Sequence, residues 1–105
     1  MEFIETPVFT RRLTRFLSDE EYADLQRLLE AHPNIGSLIR SGQGLRKIRW
    51  RSSLKAKGKR GGVRVVYYVV SRSMICMAYI YDKSRQSDLS RDETKMLASI
   101  IKERI

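Results

Sequence analysis

Two runs of strand-forming residues, three positions apart, constrain this chain more than anything else in it. Val63 to Val70 reads Val-Arg-Val-Val-Tyr-Tyr-Val-Val, and Met74 to Tyr81 reads Met-Ile-Cys-Met-Ala-Tyr-Ile-Tyr. β-Branched and aromatic side chains fit a pleated, half-buried surface, and the Ser71-Arg72-Ser73 link has turn chemistry. The two runs therefore form a hairpin. A lone hairpin is marginal in water, so other elements must cover it. Leu45 to Arg51 alternates as a third strand, with Leu45, Lys47, Arg49 and Arg51 on one face and Arg46, Ile48 and Trp50 on the other. Leu45 on the basic face and Arg46 on the apolar face break that pattern. Three strands joined in sequence make an antiparallel meander.

The helices carry their own punctuation. Thr6-Pro7 is a helix start, with Thr6 as N-cap and Pro7 at the first helical position. Phe9, Leu13, Phe16 and Leu17 follow at helical spacing. Ser18-Asp19-Glu20-Glu21 is a capping box for a second helix, whose apolar face is Tyr22, Leu25, Leu28 and Leu29. Pro33-Asn34 ends it near Ala31, and His32 caps it. Ser90-Arg91-Asp92-Glu93 is another capping box, opening a C-terminal helix with Met96, Leu97, Ile100 and Ile101 on one face. Residues 2–5 form a short edge strand. At 105 residues the chain is one domain. The order is strand, two helices, three or four strands, helix. This predicts an α+β fold, with two N-terminal helices and a C-terminal helix packed on one face of a small twisted antiparallel sheet.

Charge is distributed unevenly. Between Ala31 and Tyr81 there is no Asp or Glu, but there are eleven Lys and Arg; outside that segment ten bases meet twelve acids. A one-signed segment repels itself and suits a polyanionic partner. No apolar run approaches the ~20 residues needed to span a bilayer, and Met1 to Glu5 has neither the basic nor the apolar region of a secretory signal. No membrane partner and a cytoplasmic location are expected. One cysteine and one histidine exclude a disulfide scaffold and multi-His or Cys zinc sites. Cys76, mid-strand among apolar residues, and the methionines read as core. No Ser-His-Asp arrangement or carboxylate pair is recognisable. Lys57 to Gly62 lacks the spacing of a phosphate-binding P-loop; its Gly61-Gly62 permits positive φ in a basic loop running from Ser52 to Gly62. No cofactor or metal is implied.

The chemistry-bearing candidates are therefore basic and aromatic: Lys47, Arg49, Arg51, Lys55, Lys57, Lys59, Arg60, Arg64, Tyr67, Tyr68, Tyr79, Tyr81, Lys83 and Arg85. Such a set can cleave RNA. A 2′-OH attacks the adjacent phosphate, and Arg and Lys stabilise the negative charge of the pentacoordinate phosphate. Neighbouring cations depress a lysine pKa toward that of a usable base. A Tyr or another cation protonates the leaving 5′-oxygen. The same residues can also simply position phosphates, and composition does not separate the two roles.

Leu45-Arg46-Lys47-Ile48-Arg49, Gly61-Gly62-Val63-Arg64-Val65-Val66-Tyr67-Tyr68 and Met77-Ala78-Tyr79-Ile80-Tyr81-Asp82-Lys83 resemble the RelE/ParE superfamily of type II toxins. The basic loop from Lys55 to Gly62, the Tyr81-Asp82-Lys83 ending and the Leu17 to Tyr22 helix start are most similar to its HigB branch. The resemblance covers almost the whole chain. It implies a small α+β toxin domain that acts as a ribosome-dependent mRNA endoribonuclease in the decoding site. Its products would be a 2′,3′-cyclic phosphate and a 5′-OH, and translation would be inhibited. It implies as partners mRNA, the ribosome with its 16S rRNA, and a cognate helix-turn-helix antitoxin. Lys47 and Arg49 match the family's basic strand positions, Arg64 its transition-state arginine, and Lys83, or less closely Arg85, the cation after the last strand. The C-terminal catalytic tyrosine of some members is absent, since residues 86–105 contain no Tyr; Tyr81 is the substitute. Arg51, Lys55, Lys57, Lys59, Arg60 and Arg85 would bind RNA or ribosome. ParE relatives target gyrase instead, and a non-catalytic nucleic-acid-binding module is the third reading; the dense basic loop favours RNA.

Overall fold

The computed structural model describes residues 1–54, 62–82 and 89–104. Its elements are β1 (Glu2–Glu5), α1 (Pro7–Phe16), α2 (Asp19–Ala31), β2 (Ser37–Leu38), β3 (Arg46–Trp50), β4 (Val63–Ser71), β5 (Met74–Asp82) and α3 (Arg91–Arg104). The five strands form one sheet in the order β1-β5-β4-β3-β2. The meander β3-β4-β5 is antiparallel, as its hairpin chemistry predicts.

Two features correct the sequence-based expectation. The sheet is mixed, because β1 lies parallel to β5. The chain leaves β1, makes two helices and enters the sheet again at the far edge, so β1 is free to align with either sense. The helices also cover both faces. Phe9, Phe16, Leu17, Leu25 and Leu29 of the α1–α2 region share a core with Val63, Val65, Tyr67, Ile75, Met77 and Ile80. Leu97, Ala98 and Ile101 of α3 share a second core with Leu45, Val66, Cys76, Ala78 and Tyr81. Both faces of β4 and β5 are apolar, which is why each needs a helical cover. The resulting three layers leave Lys47, Arg49 and Arg64 on the α3-side face.

The helix starts are those written in the sequence. Thr6 Oγ1 accepts from the Phe9 amide at 3.1 Å. Ser18 and Glu21 complete the first capping box, and Ser90 and Glu93 the second. Thr6 does more than cap: its hydroxyl donates to the Ala78 carbonyl at 2.7 Å. The Arg12 Nε donates to the Ile80 carbonyl at 2.8 Å. Strand β1 pairs only with Met74 to Met77, so α1 satisfies carbonyls of β5 beyond that edge strand. The apolar face of α3 differs in two positions from expectation. Ile100 is only partly buried and lies outside the core beneath the helix. Leu97 and Ile101 are buried with Ala98 and Thr94, but Met96 is 62% exposed. Of the methionines only Met77 is fully core; the helix turns Met96 outward.

Glu21 ties α2 to the end of β3. Its carboxylate accepts from Ser18 N at 2.9 Å and from Ser53 N at 2.7 Å, while its own carbonyl accepts from Trp50 Nε1 at 3.0 Å. Burial pushes its pKa up, but the hydrogen bonds from Ser18 and Ser53 outweigh that and hold it below the ordinary value of 4.5. A carboxyl depressed on folding contributes stability that is fully present above its unfolded pKa and is lost as pH falls through the folded one. Glu21→Gln is therefore expected to lower stability by about 1 kcal/mol at pH 7. That gap should close by pH ~3. Thermal melts of both proteins at the two pH values check it; an equal gap at both would show that charge plays no part.

Candidate functional site

The site grows out of the register of three strands. Arg49 lies opposite Arg64, and Lys47 opposite Val66. On its other side Arg64 lies opposite Tyr81. Cross-strand partners share a face, so Lys47, Arg49, Arg64 and Tyr81 all project from the α3 side. Arg51 follows β3 and is exposed, with its Cα beside Gly62. The alternation read in the sequence holds here, including its two irregular positions. Leu45 is on the basic face because it belongs to the core beneath α3. Arg46 is on the other face because its guanidinium donates to the carbonyls of Asn34 (3.0 Å) and Gly36 (2.7 Å), just past α2.

Tyr81 reaches this face through an irregularity. The register slips between Val66 and Tyr67, which pair with Tyr79 and Met77 and pass over Ala78. The bulge shifts the phase of alternation. Cys76 and Ala78 before it, and Tyr79 and Tyr81 after it, all belong to the α3 side. Unbroken alternation from Ala78 would turn Ile80 toward Arg64's face and Tyr81 away.

Arg64 is the unusual residue. It is only 7% exposed, and its Nη1 is buried with no hydrogen-bond partner among the described residues. A buried donor left unpaired costs about 1–3 kcal/mol, more for a charged group. Its cross-strand partner is another arginine, and like charges directly opposite are unfavourable. A fold of ordinary economy places an apolar residue there. An anion arriving at that face would relieve both penalties at once.

Tyr81 is 1% exposed, and its ring lies 5.9 Å from that of Tyr79. Tyr79 in turn sits under the Arg12 guanidinium, 4.8 Å from the ring centroid. Tyr67 is on the opposite face, fully buried, where its hydroxyl donates to the Pro33 carbonyl and accepts from Gly36 N. Burial pushes its phenol pKa up. Tyr67 is thus a core residue, as strand spacing suggests. Tyr68 lies on the α3 side, against the second core. Burial also pushes the Cys76 thiol up, with the Arg104 charge acting the other way, and the residue is fully enclosed. That is the packing role read from its sequence position. Among the described residues no group of three or more His, Cys, Asp and Glu is placed to hold a metal ion, and no helix is long and apolar enough to cross a membrane.

The remaining candidates, Lys55, Lys57, Lys59, Arg60, Lys83 and Arg85, lie outside the described residues. Two arginines absent from the sequence-based site set line a cleft that also includes Lys47: Arg40 and Arg91. Arg40 belongs to the acid-free segment, which was a signal. Arg91 is followed directly by Asp92 and Glu93 in a capping box, and nothing in that local pattern marks it. No protein-family model matches the chain.

Proposed function

We propose that this protein is the toxin of a type II toxin–antitoxin pair, a ribosome-dependent mRNA endoribonuclease of RelE-like fold and HigB-like character acting in the cytoplasm. The observation that carries the reading is Arg64: a nearly buried guanidinium whose Nη1 has no partner among the described residues, directly beside Arg49 on the face that also presents Lys47. That arrangement is unfavourable without an anion and suited to one whose charge grows during reaction.

In this reading a substrate 2′-OH loses its proton to Lys47 or Arg49, with lysine the more readily deprotonated of the two. The 2′-oxygen attacks the neighbouring phosphorus, and the bond from phosphorus to the 5′-oxygen breaks. Arg64 holds the equatorial oxygens of the pentacoordinate phosphate. The leaving oxygen takes up a proton and becomes a 5′-OH, while the other product ends in a 2′,3′-cyclic phosphate. Tyr81's burial favours Lys83 as the proton source and gives Tyr81 the role of a wall beside Arg64. Arg51, Lys55, Lys57, Lys59, Arg60 and Arg85 would engage the RNA backbone and the 16S rRNA. A cationic face orients a flexible strand poorly, so the decoding site would supply the in-line geometry. A helix-turn-helix antitoxin would silence the toxin.

The test is translation of a defined mRNA in a purified ribosomal system, with fragment ends mapped and examined for cyclic phosphate. Cleavage in the presence of ribosomes and little or none of the same RNA alone is the expected result. Intact mRNA with translation unaffected would overturn the reading. Gyrase supercoiling assays and simple nucleic-acid binding would then decide between the two remaining classes.

A further inference from the structure

A cleft of about 500 Å³ opens between the β2 edge and α3. Its cations are Arg40, Lys47 and Arg91, and no carboxylate is among the described residues that line it. The aliphatic residues Leu38, Ile39 and Leu89 line it as well. Leu38 is 62% exposed, an apolar side chain held open to solvent. The neighbouring acid Glu93 turns back to the Ser90 amide at 2.8 Å and lines a different groove. The volume falls within the range of small-molecule sites. Its chemistry is divided, with cations for phosphate and aliphatic surface for the flat face of a base.

Lys47 belongs both to this cleft and to the strand face that holds Arg49 and Arg64. Residues two apart on a strand are about 6.6–6.8 Å apart, comparable to the step between successive phosphates of a stretched single strand. A strand whose phosphate reacts at Arg64 would thus run along β3 into the cleft.

We propose that this cleft is a nucleotide subsite for single-stranded RNA: Arg40 and Arg91 hold the phosphate, and Leu38 and its aliphatic neighbours hold the base, of a nucleotide flanking the scissile bond. The inference rests on the endoribonuclease reading for the words "scissile bond", but its binding claim is tested separately.

The experiment measures binding of a short, labelled single-stranded RNA, with its 2′-hydroxyls methylated against cleavage, across a salt series. Wild type is compared with Arg40→Ala/Arg91→Ala, with Leu38→Ser, and with the control Arg27→Ala/Arg72→Ala. The control removes two exposed arginines elsewhere. The double cleft variant should bind about tenfold more weakly, with a salt slope reduced by about 0.7, the value for one neutralised single-strand phosphate. Leu38→Ser should weaken binding at an unchanged slope, and the control should lose less than either. Equal losses in the cleft and control doubles would overturn the subsite. An unaffected Leu38→Ser would reduce it to a charge track with no place for a base, overturning the nucleotide assignment. So would weakened binding of the cleft double to ribosomes free of mRNA with RNA binding unchanged, which would assign the cleft to rRNA. If these binding results hold while wild type fails to cut mRNA on ribosomes, the nuclease reading falls and the subsite stands.

Discussion

Arg64→Met is expected to abolish mRNA cleavage on the ribosome, by about 10²–10³-fold, while leaving the protein as stable as before or more so. The two halves come from one fact. The Arg64 Nη1 is buried without a partner among the described residues, and another arginine faces it across the strands. Methionine keeps the length and the apolar stem that arginine lends to the α3-side core, and removes the orphan donor and the repulsion. Relief of an unpaired donor is worth about 1–3 kcal/mol, and each kcal/mol is about 4–8 °C of melting temperature in a domain of this size. Arg64→Lys retains the charge but not the planar fork that matches phosphate oxygens, and should remain at least about tenfold impaired. Melting curves and cleavage rates on the same preparations check this. A melting temperature that falls in parallel with activity would show that the guanidinium is structural. Full activity in Arg64→Met would remove Arg64 from the reaction.

The second large effect is expected at Gly62, where the backbone has φ +115°, a region that L side chains rarely adopt. An added Cβ would also stand 2.6 Å from the Trp50 carbonyl oxygen, which is backbone of β3 and cannot rotate aside. Gly62→Ala should therefore cost about 2–3 kcal/mol. That corresponds to a melting temperature lower by about 8–24 °C. Relief requires β3 and β4 to part at their paired end, Trp50 with Val63, and Arg49 and Arg64 are the next pair along. Activity should thus fall more than the folded fraction does, when cleavage is measured well below the melting point. A stability loss under about 0.5 kcal/mol, the usual limit for neutral surface changes, would mean that the turn has another conformation available.

Much of this architecture was legible because its determinants act over a few residues. Thr6-Pro7, the Ser18–Glu21 box and the Ser90–Glu93 box each close their own hydrogen bonds, so three amino-acid choices announce a helix start. The alternation of Lys47, Arg49 and Arg51 with Ile48 and Trp50 identified the basic face of β3, even through the anomalous Leu45 and Arg46. Those two anomalies were the trace of partners far away: α3 over Leu45, and the carbonyls after α2 around Arg46.

The sequence by itself, in which the two-residue strand β2 was not legible, determined the three helices and their starts, the meander and the short N-terminal strand, and the concentration of positive charge in the middle of the chain. These depend on capping, on residue shape and on alternation, all of which are local. Only the tertiary structure decided that β1 aligns parallel to β5, that α3 covers the face opposite α1 and α2, and that a bulge at Ala78 brings Tyr81 to Arg64's side. It also decided that Arg64 is enclosed while Arg49 is exposed, and that Arg91 meets Lys47 across a cleft. Each of these outcomes depends on which distant surfaces bury one another, and a residue's neighbours in the chain carry no record of that choice.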